Sequence, residues 1–142
     1  MKNVVLLGAT GSIGTSTLNV LRQNKEIFTL KAIALHQNLD IALEIVNEFS
    51  PEHVFISDKY ISTDHPIFSS GCKIVTCLED LKSVIQNPAI EIVISAISGF
   101  AGLQSSYWAI EAGKTTLIAN KESIVSAGDI LIPLAAQTKA NI

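Results

Sequence analysis

The sequence predicts an α/β fold, a doubly wound and mainly parallel sheet with helices on both faces. Apolar runs of strand length alternate with amphipathic helical segments along the whole chain, which is typical of parallel strands joined by crossover helices. The first run, residues 4–7, is apolar at consecutive positions, as in a strand that is buried on both faces. A glycine-rich turn at residues 8–14 follows this run and leads into a helix.

The predicted elements keep this alternation from the first strand to the last helix. Strands are expected at residues 4–7, 28–35, 53–57, 73–76, 91–97 and 115–119. Helices are expected at residues 12–24, 39–49, 78–85, 103–112 and 124–140.

Local signals refine these boundaries. Ser12 is expected to cap the first helix. The last helix is expected to be interrupted near Gly128 and Pro133, the residue types that fit a helix interior least well. The polar segment 58–71 is interpreted as a surface connection with one helical turn, held to the body of the protein by Phe68.

The composition indicates a globular domain. Hydrophobic residues make up 48% and charged residues 16% of the 142 residues, enough to build one buried core. The formal net charge of −3 argues against a nucleic-acid surface or a polybasic membrane patch. No apolar run is long enough to cross a bilayer, and the first strand starts at once, without a signal peptide. We therefore expect a cytoplasmic protein that binds neither nucleic acid nor membranes.

Residue types that carry catalysis or bind metals are sparse. Cys72 and Cys77 flank a predicted strand without partners at zinc-ligand spacing, and we expect two reduced, partly buried thiols. His53 and His65 are interpreted as surface or loop histidines. No Ser-His-Asp order, pair of carboxylates or ligand cluster stands out. The sequence therefore assigns no catalytic residue and no metal ligand to this chain.

Four predicted turns fall at one edge of the sheet, at residues 8–14, 36–38, 95–99 and 120–122. Ligands of such sheets bind beyond the carboxyl ends of the strands. The first turn is suited to nucleotide phosphates, because glycine allows close backbone approach and the helix that follows presents free N–H groups. Its spacing is G-x-x-G-x-x-G rather than G-x-G-x-x-G, so a purely structural turn is the alternative.

The end of the second strand bears on the choice of cofactor. An acidic residue there typically bonds the ribose 2′-hydroxyl of NAD, and here His36, Gln37 and Asn38 precede the first carboxylate, Asp40. The absence of an acid permits a 2′-phosphate, although no Arg or Lys is present to pair with it. NADP is therefore favoured over NAD, and a polar loop without a ligand is the alternative.

Two charged residues follow the last predicted strand directly. Lys121 is placed to bind an anionic or hydroxylated substrate, and Glu122 to position a ribose or nicotinamide group. The alternative is a plain helix start, in which Glu122 lies in the first turn and interacts favourably with the helix dipole.

Several of these runs together resemble 1-deoxy-D-xylulose 5-phosphate reductoisomerase over the whole chain. They are the runs at residues 8–14, 16–18, 98–103, 112–114 and 119–123, of which the last, Ala-Asn-Lys-Glu-Ser, is quite specific to that family. The resemblance implies a Rossmann-like domain of an NADPH-dependent homodimer in non-mevalonate isoprenoid biosynthesis. Such enzymes rearrange a small sugar phosphate and reduce the resulting aldehyde to 2-C-methyl-D-erythritol 4-phosphate, with Mg²⁺ or Mn²⁺ holding the substrate.

The same resemblance implies roles for individual residues. It assigns the NADPH phosphates to Thr10, Gly11, Ser12 and Ile13. It further implies that Asn120 and Glu122 contact the cofactor and that Lys121 contacts the substrate.

Two features depart from the family pattern. Many members carry Gly-Lys-Asn where this chain has His36, Gln37 and Asn38, which removes a lysine from the region of the 2′-phosphate. The metal-binding Asp-Ser-Glu motif, the flap and the C-terminal domain are expected beyond Ile142. We therefore interpret residues 1–142 as the NADPH-binding domain of a longer enzyme, inactive on its own and without metal ligands.

Two other functions are consistent with the residues alone. One is a different NADP-dependent reductase such as a semialdehyde dehydrogenase, which needs a nucleophilic cysteine in a later turn than Cys72 or Cys77. The other is a non-enzymatic NADP-binding sensor or interaction domain.

Overall fold

The computed structural model describes residues 1–99 and 101–142. Within them the strands form one parallel sheet in the order β4-β3-β2-β1-β5-β6. The strands are β1 Lys2–Leu7, β2 Phe28–Leu35, β3 His53–Ile56, β4 Lys73–Val75, β5 Ile92–Ser95 and β6 Thr115–Ile118. The helices are α1 Ser12–Gln23, α2 Leu39–Phe49, α3 Leu78–Gln86, α4 Ala101–Glu111 and α5 Lys121–Thr138, with a short 3₁₀ helix at Pro66–Ser69.

Helices cover both faces of the sheet, as the consecutive apolar residues of its strands require. Val4 and Leu6 of β1 pack with α1 and α2 on one face, whereas Val5 and Leu7 pack with α3 and α4 on the other. Helix α5 packs against α4 through a third cluster that contains Leu131. The predicted doubly wound sheet is confirmed, and every pair of neighbouring strands in it is parallel.

The strand order places a crevice beside β1. From β1 the chain runs outward through β2 and β3 to β4, and then returns to β5 on the other side of β1. The connections that leave the carboxyl ends of β1 and β5 therefore diverge to opposite faces of the sheet. This divergence opens the crevice in which open α/β sheets bind ligands.

The segment between β3 and β4 is a surface connection with one 3₁₀ turn, as predicted. Phe68 packs against the core as expected. The deepest anchor, however, is its neighbour Ile67, which is fully buried. The sequence pattern gave no reason to prefer Ile67, because the burial of a single loop residue depends on the helix it meets.

The start of α1 at Ser12 agrees with the prediction but its cap does not, and α4 and α5 start two and three residues earlier than predicted, at Ala101 and Lys121. Helix α1 begins after Gly11, and the Ser12 side chain makes no capping hydrogen bond, so the predicted Ser12 cap is wrong. Helix α5 begins at Lys121 because Asn120 caps it, three residues earlier than predicted. The predicted interruption near Gly128 is present at Ala127, whose φ of −137° is not helical. No such break is recorded at Pro133, which lies inside the helix.

A buried lysine joins the elements at the amino edge of the sheet. Lys114 donates from Nζ to the carbonyl oxygens of Asn87 and Ile90, each at 2.7 Å. Burial lowers the pKa of Lys114, while the charge of Glu91 acts in the opposite direction. These contacts join the turn before β5 to the start of β6. They thereby help to fix the register of the two strands.

Candidate functional site

The turn after β1 is built on two glycines that cannot carry a side chain. Gly8 has a φ of +85°, and a Cβ at this position would lie 2.6 Å from the carbonyl oxygen of Ala96. A Cβ on Gly14 would lie 2.5 Å from the carbonyl oxygen of Ala9. The turn is therefore pressed against the end of β5 on one side and folded onto itself on the other.

The same turn is tied to the end of β2. The N–H groups of Gly8 and Ala9 both donate to the carbonyl oxygen of Ala34, at 2.8 and 3.0 Å. Its position at the carboxyl edge is thus fixed from two neighbouring strands.

The amino end of α1 is open to solvent. Its N-cap is Gly11, no side chain of the described residues caps it, and its first turn holds no acidic residue. Gly11, Ser12 and Ile13 are exposed, and Thr10 is half-buried beside them. Backbone N–H groups at a helix N-terminus favour an anion through both hydrogen bonding and the helix dipole. An anion such as a phosphate can therefore approach the amino end of α1 from solvent.

A cavity of about 320 Å³ opens beside this turn. It lies at the carboxyl ends of the strands, on the face that α3 and α4 cover. Its walls come from the ends of β2 and β3, from the turns after β1, β2 and β5, and from α3 and α4. The lining residues are Gly8, Thr10, Ala34, Leu35, His36, Phe55, Ser57, Leu78, Leu81, Ile97, Ala101, Gln104, Ser105 and Trp108. The lining is mostly apolar, and its polar side chains are those of Thr10, His36, Ser57, Gln104 and Ser105. Sites that hold a flat organic group and orient it by a few hydrogen bonds have this character.

His36 and Ser57 both line this cavity and contact each other. The Nδ1 atom of His36 lies 2.8 Å from Oγ of Ser57. The backbone supports the pair, because the N–H of Ser57 donates to the carbonyl oxygen of Leu35 at 3.0 Å and that of Asp58 donates to the carbonyl oxygen of His36 at 3.1 Å. The structure therefore brings His36 to the same cavity as Thr10.

The two other residues predicted after β2 behave differently. Asn38 accepts from the N–H of Ile41 at 3.3 Å and caps α2. Gln37 is exposed and lines a separate shallow opening with Asp40 and His65. The Nε2 atom of His65 lies 2.7 Å from the Asp40 carboxylate, so the loop histidine of the prediction is joined to the first turn of α2.

The turn after β6 is held by Asn120. Its Oδ1 accepts from the N–H of Ser123 at 3.0 Å and caps α5, while its Nδ2 donates to the carbonyl oxygen of Ile97. Gly102 makes room for this bond, because a Cβ there would lie 2.9 Å from Asn120 Nδ2. Asn120 thus joins the turns after β5 and β6. Of the predicted turn at residues 95–99 and its continuation, Phe100 lies outside the described residues.

Lys121 and Glu122 are exposed in the first turn of α5. They lie at the same edge as the glycine turn, two strands away from β1, and they do not line the cavity. Glu122 lies in the first turn of α5. An acid there interacts favourably with the helix dipole, which is the alternative role considered for this residue. The structure therefore places the pair at the predicted edge without bringing it against the cavity.

Several cavity residues were not predicted as site residues. Ser57 carried a usable signal, since a polar residue at the end of a buried strand lies at the ligand edge. Gln104 and Trp108 carried none, because helical spacing does not show which residues of α4 face a cavity.

The described part of the chain holds neither a cluster of metal-ligand side chains nor a membrane-spanning helix. Among residues 1–99 and 101–142 no three His, Cys, Asp or Glu side chains come together as a metal site. The cysteines are free, Cys72 half-buried and Cys77 exposed, so the expectation of partial burial holds only for Cys72. In the described part of the chain, none of the helices has the length and apolar character needed to span a membrane.

Comparison with known proteins gives consistent matches. The family model described as 1-deoxy-D-xylulose 5-phosphate reductoisomerase matches residues 4–128. A protein of that name from Bacillus cereus (strain AH187) is 41% identical over 142 residues, which are 100% of this chain and 37% of that protein. One from Clostridium perfringens (strain 13 / Type A) is 38% identical over 146 residues and is covered to 38%. The chain thus spans well under half the length of these relatives.

Solved structures agree with the sequence matches. A DOX-P reductoisomerase in complex with NADPH, fosmidomycin and magnesium superposes with a TM-score of 0.89 at 35% identity, over 99% of this chain and 35% of that one. The enzyme from Zymomonas mobilis in complex with NADPH gives 0.89 at 30% identity, over 99% and 37%. A homoserine dehydrogenase from Archaeoglobus fulgidus, with a TM-score of 0.63 at 17% identity, shares the fold alone.

Proposed function

The chain belongs to the 1-deoxy-D-xylulose 5-phosphate reductoisomerase family, and from this premise we propose that it is the NADPH-binding domain of such an enzyme. The observation that carries the proposal is the uncapped amino end of α1, which opens beside an apolar cavity at the carboxyl edge of the sheet. Two of the solved relatives are complexes with NADPH, which supports the same cofactor here.

The glycine turn fits a pyrophosphate. Thr10, Gly11, Ser12 and Ile13 hold the NADPH phosphates through the backbone N–H groups at the start of α1. No side chain of the described residues caps this helix end, and Gly11 adds no Cβ to the approach, so the anion is the group that completes the helix N-terminus.

The adenosine half of the cofactor extends from this turn toward β2. The mostly apolar cavity takes the adenine, and His36, Gln37 and Asn38 lie around the ribose and its 2′-phosphate. No carboxylate is present among the described residues that line the cavity, so a phosphate meets no repulsion there. This supports NADPH over NADH.

The turn after β6 contacts the nicotinamide half of the cofactor and the substrate. Glu122 contacts the cofactor, and Lys121 binds the phosphate or hydroxyl groups of a small sugar phosphate through its ammonium. Asn120 contacts the cofactor from the same turn and fixes the turn itself, since both ends of its amide are bonded within the protein.

NADPH, when bound, would supply a hydride to the aldehyde formed by rearrangement of the sugar phosphate and would leave as NADP⁺. A proton from solvent completes the alcohol of 2-C-methyl-D-erythritol 4-phosphate. We place the divalent metal of the complete enzyme, Mg²⁺ or Mn²⁺, on residues outside 1–142, because these residues correspond to 37% of the length of the relative from Bacillus cereus. In the complete enzyme we place this domain in a cytoplasmic homodimer, and residues 1–142 alone are expected to bind cofactor without turnover.

Titration calorimetry tests the proposal. The 142-residue chain is titrated with NADPH and, separately, with NADH, and we expect saturable binding that is tighter for NADPH. Absence of NADPH binding at millimolar concentration, or tighter binding of NADH, would contradict the cofactor assignment. An assay with 1-deoxy-D-xylulose 5-phosphate, NADPH and Mg²⁺ tests whether residues 1–142 bind the cofactor without catalysing the reaction. Measurable turnover by this chain alone would contradict that expectation.

A further inference from the structure

The cavity beside the glycine turn has one titratable residue among its described lining residues, and that residue is His36. A 2′-phosphate near the end of β2 needs a donor or a positive charge to distinguish it from a hydroxyl. Residues 36–38 contain neither Arg nor Lys. If the chain selects NADPH, as proposed above, the selection must come from another kind of group.

The imidazole of His36 is held in place from β3. Its Nδ1 lies 2.8 Å from the Ser57 hydroxyl, and the backbones of the two residues are joined through Leu35 by the bond at 3.0 Å from the Ser57 N–H. Within the described part of the chain, Ser57 Oγ is the partner recorded for the His36 ring. When Ser57 donates to Nδ1, the ring hydrogen resides on Nε2, which then acts as a donor.

The nearest carboxylate of α2 is occupied elsewhere. Asp40 lies four residues after His36 and is paired with His65 Nε2 at 2.7 Å. The N–H of Ile67 donates to His65 Nδ1 at 3.1 Å, which anchors that histidine to the 3₁₀ turn. The Asp40 carboxylate is thereby hydrogen-bonded to the connection between β3 and β4.

We propose that His36, positioned by Ser57, is the residue by which this protein selects a dinucleotide that carries a 2′-phosphate. The inference rests on the proposed NADPH-binding function and names the group responsible for its specificity. His36 donates to the 2′-phosphate, a charge-assisted hydrogen bond that the 2′-hydroxyl of NADH cannot match. Ser57 touches neither phosphate nor ribose and acts by holding the ring.

The test compares NADPH with NADH on each variant, so that a general loss of folding cancels. Calorimetry gives both dissociation constants for the unmodified chain and for His36→Ala, Ser57→Ala and Ser57→Thr. Adenosine 2′,5′-bisphosphate and 5′-AMP serve as a second pair of probes that differ only in the 2′-phosphate. His53→Gln is the matched control, because His53 is at the amino end of β3, on the opposite edge of the sheet.

We expect His36→Ala to lower the NADPH preference about tenfold, the effect of one hydrogen bond to a charged group. Ser57→Ala lowers it by a smaller factor and Ser57→Thr, which keeps the hydroxyl, restores it. His53→Gln leaves the ratio unchanged. The binding of 5′-AMP changes little in any variant.

The possible results distinguish a failure of this inference from a failure of the proposed NADPH-binding function. If the unmodified chain binds neither dinucleotide, the proposed function fails and the inference fails with it. If the chain prefers NADPH and His36→Ala keeps that preference, the inference alone is wrong. Equal losses for NADPH and NADH in His36→Ala would likewise overturn it, since they would show that the ring contacts a part common to both.

Discussion

Helices α1 and α5 begin at the same edge of the sheet but differ in how their amino ends are completed. The cap of α1 is Gly11, which receives no side-chain hydrogen bond from residues 1–99 and 101–142, and the first turn holds no acid. The cap of α5 is Asn120, whose side chain accepts from Ser123, and Glu122 lies in the first turn. Free N–H groups are therefore left at α1 and partly satisfied at α5.

The difference indicates a division of tasks. An anion is stabilised where N–H groups have no internal partner and no carboxylate competes, and this condition is met at α1. At α5 the internal cap and the bond from Asn120 to the carbonyl of Ile97 favour a fixed geometry. A fixed helix start suits a residue such as Lys121, which must present its charge at a defined position.

The largest effect is expected from the glycine at the start of α1. Gly14→Ala should lower the unfolding free energy by about 3 kcal/mol, because a Cβ 2.5 Å from a backbone oxygen forces the turn apart. NADPH binding should be lost with the turn. Denaturant unfolding and calorimetry measure the two effects.

The matched substitution in α5 is Gly128→Ala, where a Cβ would meet only side-chain carbons at 3.7 and 3.8 Å. It should be neutral or stabilising by about 0.5 kcal/mol, the ordinary gain of alanine in a helix. If Gly14→Ala and Gly128→Ala changed the unfolding free energy by similar amounts, the turn after β1 would have space for a Cβ at Gly14, contrary to the structure.

The next largest effect on stability is expected at Asn120, the cap of α5. Asn120→Ala should cost about 2 kcal/mol of stability, since it removes a cap worth about 1 kcal/mol and a hydrogen bond of similar value. Asn38→Ala removes only the cap of α2 and should cost about 1 kcal/mol. Urea unfolding of both variants tests this, and equal costs would contradict the role of Asn120 in joining two turns.

The smallest effect on stability is expected for Ser12→Asp, which should stabilise the fold but weaken NADPH binding. Ser12→Asp places an acid in the first turn of α1, which should raise stability by about 0.5 kcal/mol through the helix dipole. It should weaken NADPH binding about tenfold, because the carboxylate faces the phosphates at close range. Thermal unfolding and calorimetry measure the pair, with Ser12→Asn as the uncharged control; a gain in both quantities would place the phosphates elsewhere.

Local patterns predicted much of the fold. The boundaries of β2 and α2 agree with the prediction at both ends. The polar residues after β2 mark its end, and Asn38 and Ser50 bound the amphipathic pattern of α2. The start of α5 was missed since helical spacing in residues 121–123 is no clearer than that of a loop. Its position was decided by the cap that Asn120 provides.

The site was predicted in part. Sequence reasoning selected the glycine turn and His36, and the structure places both on one cavity. Ser57 and Trp108, which also line it, were not selected, because facing a cavity is a property of the packed helices and strands. Lys121 and Glu122 were expected at the same edge, and they lie there outside the cavity lining.

The sequence by itself determined the alternation of strands and helices and the turn that only glycine can form, because periodicity and backbone sterics act between near neighbours. The tertiary structure decided which distant groups meet, such as His36 with Ser57 across 21 positions and Asn120 with Ile97 across 23. These pairings follow from the strand order, which depends on how all the apolar faces are buried together and is encoded in no single segment.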